Sequence, residues 1–347
     1  MTVQFHIDPD IKKAQTMPSV FYTDERYFEL SKEKIFARTW QVVAFGHDLK
    51  GRGSIFPTHI LAPMLEEPLL ITQADDDKIH CLSNVCTHRG KQLFDLPCRE
   101  NLIRCGYHGR RFSLDGKFLS MPEFEQTENF PTERDDLPQV PFGRWANFLF
   151  AAIAPLMPVD ELLSEMTSRI AFGDLDKLKM TGTSSYNVGA HWALYCENYL
   201  EGFHIPFVHE ALNKELDYGS YSTELFRYSS LQTGYDKNGE RSVAAARYFF
   251  IFPNMMFNFY PWGLSLNIVK PVRPDLTNVE YFTFVSDETK VGKGAGAGLE
   301  KVEFEDQAVV ESVQRGIRSR LYDRGRYSPT REQGCHHFHR LLAEFMN

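Results

Sequence analysis

The 347-residue chain carries 38 Lys and Arg against 46 Asp and Glu, a net charge of −8, with 43% hydrophobic and 24% charged residues. That length exceeds what one hydrophobic core ordinarily supports and predicts two domains, while the composition excludes a disordered chain and the acidic balance argues against a nucleic-acid surface. No leader pattern opens the chain and no apolar run is long enough to span a bilayer, so a cytoplasmic location without membrane contact is expected.

Residues 22–40 are predicted to be helical, with Thr23 as N-cap, acids in the first turn, and Phe28, Leu30, Ile35 and Phe36 as apolar contacts. From Trp40 to about Phe150, short strands cut by Gly, Pro and Asp, such as 69–72, 79–82 and 148–150, predict a small all-β domain. After Pro155 and Pro158, helical patterns over 159–170, 190–204, 301–322 and 335–346 mix with aromatic strand-like runs over 246–260, 264–270 and 279–286. The fold class is therefore α+β: a segment over 1–39 packing on the second domain, an all-β domain over 40–150, and a mixed domain over 151–347. The run Gly292–Gly298 contains no Gly-Lys-Ser/Thr and is expected to be a connector rather than a phosphate loop.

Six cysteines are too few for a disulfide scaffold in a chain this long, and in a reducing compartment clustered Cys and His point to metal. Cys86-Thr87-His88-Arg89-Gly90 and Cys105-Gly106-Tyr107-His108-Gly109 each offer one thiolate and one imidazole. The Cys-x-His spacing is tighter than a zinc knuckle, and two such loops match the Rieske arrangement, in which two thiolates hold one iron of a [2Fe–2S] cluster and two histidines the other. Glycines at 90, 106 and 109 let backbone N–H groups approach the sulfurs. Cys81, Cys98, Cys196 and Cys335 have no such partners and are expected to be buried thiols.

A second constellation lies in Glu197-Asn198-Tyr199-Leu200-Glu201-Gly202-Phe203-His204-Ile205-Pro206-Phe207-Val208-His209. Glu201 and His204 share a helix face, and Pro206 is expected to break the helix so that His204 and His209 converge. Two histidines with one carboxylate suit an Fe(II) facial triad better than a zinc-protease pair. On the 301–322 helix, Val309, Val310, Val313, Ile317 and Leu321 form one stripe that includes Asp306 and excludes Glu305 and Glu311. A buried carboxylate is costly unless paired or metal-bound, which makes Asp306 the third ligand, with Glu303 as fallback. The alternative is an aspartate satisfied by N–H groups of its own helix.

Together these segments resemble, along nearly the whole chain, the catalytic subunits of Rieske non-haem iron oxygenases, and most of all their choline monooxygenase and betaine demethylase branch. The family often has Pro at Gly106 and Trp at Arg110, and neither departure removes a ligand. The resemblance implies an all-β cluster domain and a helix-grip-like catalytic domain with an antiparallel sheet. It implies a [2Fe–2S] cluster on Cys86, His88, Cys105 and His108, and mononuclear Fe(II) on His204, His209 and Asp306. It also implies a bridge from Glu201 to His108 of a neighbouring subunit in a homotrimer, although Glu is one methylene longer than the Asp many members carry. By that resemblance the chain takes electrons from a reductase or ferredoxin and uses O2 to hydroxylate or N-demethylate a small substrate, a quaternary ammonium being favoured.

The aromatic run from Arg247 to Trp262 would line a pocket on alternate residues, fitting a quaternary ammonium by cation–π attraction or a flat ring, and plain core packing is the competing reading. The rival functions are an aromatic ring-hydroxylating dioxygenase, a Rieske electron carrier without oxygenase activity, and a zinc hydrolase. Cys335-His336-His337-Phe338-His339 is discounted as a metal motif because adjacent histidines point in different directions on a helix.

Overall fold

The computed structural model describes residues 4–74, 78–170, 175, 178–237, 244–291 and 299–347. The connector expected over Gly292–Gly298 lies outside the described residues. The chain forms two compact units, one from residues 37–164 and the other from 1–36 with 165–347. All ladders among the described strands are antiparallel.

In the 37–164 unit, β1 (Gln41–Phe45), β9 (Phe142–Trp145) and β10 (Phe148–Ala151) make one sheet. A second joins β2 (Ser54–Ile60), β3 (Glu67–Gln73), β4 (Ile79–Ser83) and β5 (Cys98–Arg99), and a third joins β6 (Ile103–Arg104), β7 (Arg111–Phe112) and β8 (Phe118–Ser120). Ile55, Leu70, Leu82, Ile103, Phe112 and Leu137 form a core that also takes in Cys86 and Cys105. The thiols are thus anchored in apolar packing while the intervening loops reach outward. Helix α3 (Val159–Arg169) follows.

The other unit opens with α1 (Ser19–Thr23) and α2 (Glu25–Lys34) in place of the single predicted helix. Asp24, not Thr23, caps α2: its extended backbone interrupts the helix and its carboxylate accepts the Arg26 N–H. Seven strands follow in the order β11-β17-β16-β15-β14-β13-β12, comprising β11 (Lys179–Val188), β12 (Ser222–Leu225), β13 (Ser229–Tyr235), β14 (Ala244–Ile251), β15 (Met255–Tyr260), β16 (Gly263–Arg273) and β17 (Leu276–Val285). The helices are α4 (Trp192–Tyr199), α5 (Ile205–Val208), α6 (Glu210–Glu215), α7 (Leu299–Gly316) and α8 (Gln333–Met346). Strand alternation places Gln232, Tyr248, Asn258 and Ser265 in one cross-strand row, and Phe250, Met256, Asn267 and Tyr281 in the next row of the same face. Side chains of α4 and α8 reach that face through Tyr199 to Phe250 and Phe338 to Phe250.

The N-terminal segment is tied into this unit by polar bonds. The Tyr22 hydroxyl donates to Glu197 Oε1 at 2.7 Å and meets His339 Nε2 at 3.3 Å, while the side-chain amide of Asn347 accepts the Phe5 N–H through Oδ1 and donates to the Phe5 carbonyl through Nδ2. The three closely spaced histidines of α8 go separate ways: His336 to the Asp8 carbonyl, His339 to Tyr327 and Glu197, and His337 to a half-buried position where desolvation lowers its pKa to about 4. Cys81, Cys196 and Cys335 are buried as expected, whereas Cys98 is only half-buried.

Candidate metal centres and the adjoining cavity

The two Cys/His loops share one backbone frame. Cys86 N–H donates to the Lys91 carbonyl at 2.8 Å and Gly90 N–H to the Cys86 carbonyl at 3.0 Å; Cys105 N–H donates to Arg110 at 2.8 Å and Gly109 N–H to Cys105 at 3.1 Å. Each frame closes on a glycine of positive φ, 71° at Gly90 and 75° at Gly109, where a Cβ would be strained. Within the common frame the histidine stands two residues after the cysteine in one loop and three after it in the other. The imidazoles of His88 and His108 come to 4.8 Å between centroids, and His108 packs on Tyr107 at 3.7 Å. The thiols are free and buried, and burial together with the neighbouring Cys105 pushes the Cys86 thiol up. Two buried thiols close together, with two imidazoles gathered beside them at the partly exposed end, fit a Rieske cluster.

Arg110, where the family often has Trp, is fully buried. It pairs with Asp135 at 2.6 Å and lies 5.0 Å from the Phe118 ring and 5.5 Å from that of Phe130. The Asp135 carbonyl accepts from both Arg110 and Thr87 Oγ1, so one residue fastens both loops.

The second constellation is gathered as well, by a local structure unlike the predicted one. Helix α4 ends at Tyr199, before Glu201, and Pro206 sits near the start of the one-turn helix α5 instead of ending a longer one. Glu201 therefore does not meet His204 across a helix face. Its carboxylate folds back over the turn, accepting the Phe203 and His204 N–H groups and bonding His204 Nδ1 at 2.6 Å. His204 and His209 flank α5, and their Nε2 atoms lie 3.1 Å apart. Asp306 Oδ1 completes the triangle, 3.0 Å from His209 Nε2 and 3.4 Å from His204 Nε2. Donors about 2.1 Å from a common ion lie about 3.0 Å apart on an octahedral face and about 3.4 Å apart in a tetrahedron, so the triangle fits a metal ion. Both Nδ1 atoms are engaged elsewhere, His204 by Glu201 and His209 by Glu305 at 2.8 Å, which leaves both Nε2 atoms directed at the triangle.

Electrostatics at this site favour positive charge. Burial opposes protonation of His204, but the carboxylates of Asp306 and Glu201 outweigh it and hold the pKa up at about 9; His209 is raised against its own burial by Asp306 and Glu305. Asp306, despite its burial, is held below the usual carboxylate range by the two imidazoles.

The stripe expected on α7 is rotated in the structure. Val310 and Ile317 are buried, but Val313 is 44% exposed, and Leu321, beyond the helix end, is 99% exposed. The inward positions are filled by polar residues: Gln314 accepts the His191 N–H at 2.8 Å, and Glu303 accepts the hydroxyls of Tyr195 and Tyr281, each at 2.6 Å. Asp306 is on the inward side as expected, while Glu303 bonds phenols and does not join the triangle. Burial pushes Glu303 up to about 7 even though two phenols donate to it. Sequence reasoning missed Glu305, Tyr195 and Tyr281; the only signal for Glu305 was its position next to Asp306.

A cavity of about 100 Å³ adjoins the triangle. His204, His209, Asp306 and Glu303 lie on one side, and Tyr199, Tyr248, Tyr260, Asn258 and Asn267 line the rest. Of the long aromatic run, only the residues on the helix-facing side of β14 and β15 contribute; Phe249, Phe257 and Phe259 are buried elsewhere as core.

Both halves of the chain match known families. The Rieske [2Fe-2S] domain family matches residues 39–131 and the ring hydroxylating alpha subunit (catalytic domain) family matches residues 175–347. Choline monooxygenase from Arabidopsis thaliana is 30% identical over 96% of this chain and 84% of its own. The carnitine monooxygenase oxygenase subunit of Escherichia coli K12 is 29% identical over 96% and 94%. Among solved structures, the quaternary ammonium Rieske monooxygenase CntA with L-carnitine superimposes with a TM-score of 0.79 at 26% identity, covering 99% of this chain and all of the other. Naphthalene 1,2-dioxygenase, at 16% identity and a TM-score of 0.72, shares the fold. The chain belongs to the Rieske non-haem iron oxygenases, as a catalytic alpha subunit related to the choline and carnitine monooxygenases. It is an oxygenase whose cofactors are a Rieske [2Fe–2S] cluster and a mononuclear iron, supplied with electrons by a partner. Among the described residues no helix is long and apolar enough to cross a membrane.

Proposed function

We propose that the chain hydroxylates or N-demethylates a small quaternary ammonium compound. Cys86, His88, Cys105 and His108 hold the cluster, and His204, His209 and Asp306 hold the iron. When bound, the cluster supplies single electrons and the iron activates O2. The protein's own part is positional: Glu201 and Glu305 fix both imidazoles in one tautomer and orientation, and a triad of only three protein donors would leave a bound iron accessible to O2. The observation that carries the substrate class is likeness over 96% of the chain to a choline monooxygenase, joined to a cavity walled by Tyr199, Tyr248 and Tyr260.

The same reading makes the protein a homotrimer fed by a reductase or ferredoxin, with Glu201 passing electrons from His108 of a neighbouring copy. A relative of the same branch is described as showing inter-subunit electron transfer, which supports this assembly. Six cysteines without a disulfide among them suit a reducing compartment, and we place the protein in the cytoplasm.

Iron and sulfide analysis with EPR of the reduced protein tests the two-site assignment. About three irons per chain are expected, with His204→Ala losing one and keeping the Rieske signal. Two irons in the fully loaded protein, or zinc at the second site, would overturn it. Substrate-dependent O2 uptake with a panel of N-methylated and aromatic compounds tests the substrate class, and turnover of aromatic hydrocarbons alone would point to a ring-hydroxylating dioxygenase.

A further inference from the structure

We propose that the cavity beside the metal triangle selects small organic cations with a neutral tail over zwitterionic betaines, and that Glu303 is the residue that sets this preference. The inference rests on the quaternary-ammonium reading above and divides that class by charge.

The charge around the cavity is one-sided. Glu201, Glu303 and Asp306 line it, and among the described residues no lysine or arginine does. A bound dication is matched by Asp306 and Glu201, so Glu303 is the acid that leaves the cavity net negative. Glu303 is fixed in place by hydroxyl donors from two elements, Tyr195 of α4 and Tyr281 of β17, whose oxygens also meet each other at 2.6 Å. These donors are neutral, so they orient the carboxylate without cancelling its charge.

The rest of the wall fits the two ends of such a substrate. Tyr260 is stacked on Trp262 at 5.1 Å and 12°, and with Tyr248 and Tyr199 it offers aromatic surface to an alkylammonium. Asn258 and Asn267 each accept a hydroxyl through Oδ1, from Tyr199 and Ser265 respectively, and among the described residues neither amide nitrogen has a protein partner. Two such N–H donors suit an alcohol or carbonyl oxygen. A substrate carboxylate would meet neutral donors in a low-dielectric cavity already lined by three acids, and among the described lining residues no lysine or arginine to pair it. A cavity of about 100 Å³, at about 10–15 Å³ per water-sized position, also suits a compact molecule.

The test is equilibrium binding, by calorimetry under anaerobic conditions at pH 8.5, to the metal-loaded protein; burial pushes Glu303 up to about 7, so at that pH its carboxylate carries the charge. The probes are choline, its neutral isostere 3,3-dimethylbutan-1-ol, glycine betaine and L-carnitine. Choline is expected to bind on the order of tenfold more tightly than each of the other three, a difference of about 1.4 kcal/mol. Glu303→Gln is expected to remove most of the advantage of choline over glycine betaine, while Glu303→Asp, which keeps the charge, retains it. The visible spectrum of the cluster reports that each variant is folded. Glycine betaine or L-carnitine binding about as tightly as choline to the unmodified protein overturns the inference and leaves the quaternary-ammonium reading standing, as does a preference that Glu303→Gln leaves intact for the assignment of Glu303. Binding of none of the three quaternary ammonium probes overturns that broader reading and the inference with it.

Discussion

Glu305 lies outside the metal triangle, yet its carboxylate meets His209 Nδ1 at 2.8 Å. Glu305→Gln keeps the acceptor oxygen and the side-chain length and removes only the charge. Loss of such a partner to a ligating histidine typically lowers metal affinity about 10–100-fold, or about 1.4–2.7 kcal/mol. Two features place this case at the lower end. Glu305 is 28% exposed, so water screens its charge, and its other oxygen is shared with Lys301 Nζ at 3.6 Å. A loss of about tenfold is therefore expected. Glu201, only 13% exposed and bonded to His204 at 2.6 Å, should give the larger loss when changed to Gln. Anaerobic titration of metal-depleted protein with Co(II) or Fe(II) measures both affinities, and the visible absorption of the cluster reports an intact fold. Equal affinity for Glu305→Gln and the unmodified protein would refute the reasoning, as would a larger loss for Glu305→Gln than for Glu201→Gln.

Asp306→Ala removes the one carboxylate of the triangle; metal analysis should show the second iron lost while sulfide content is unchanged. Asp135→Ala strands the buried Arg110 guanidinium, and although the nearby rings of Phe118 and Phe130 offset part of the penalty, a cost of about 3 kcal/mol is expected in denaturant-induced bleaching of the cluster. No measurable change there would contradict a supporting role for the pair. His191 is wholly buried against Phe21, Tyr22 and Phe28, and burial lowers its pKa from an ordinary 6.5 to about 3. The unfolded chain takes up this proton more readily, so the stability linked to His191 is complete above about pH 6.5 and falls as the pH drops toward 3, by up to about 4–5 kcal/mol. Unfolding followed across that range should show a shallower acid slope for His191→Gln, and identical slopes would remove His191 as the cause.

What the sequence revealed was chiefly what is local. The cluster loops were readable because Cys, His and Gly fall within one turn of each other, and His204 and His209 because only a short stretch separates them. Asp306, which the structure places beside His204 and His209, was reached by a partly mistaken route. The stripe drawn through Val313 and Leu321 treated apolar residues as the buried ones, whereas the inward face of α7 is completed by Gln314 and Glu303, each bonded to a partner distant in sequence. Hydrophobic periodicity carries no sign of such partners. The break after Tyr199 was misplaced for a related reason: Pro206 is the visible helix-breaker, but the turn is held by Glu201 folding onto two N–H groups. Strands β11 and β12 escaped notice because they are polar and largely exposed, with little of the apolar alternation that marks a half-buried strand.

Helix α7 presents three acids within four residues, and no two of them act alike. Glu303 bonds two phenols at the cavity wall, Glu305 steers an imidazole, and Asp306 closes the triangle. A helix advances about 1.5 Å and turns about 100° per residue, so a slip of one position would unseat all three together. The helix therefore works as a key with three teeth, which engage as a set or not at all. Insertions or deletions within it should abolish activity outright, whereas exchange of the first tooth alone remains open as a way to alter substrate choice while the metal stays in place.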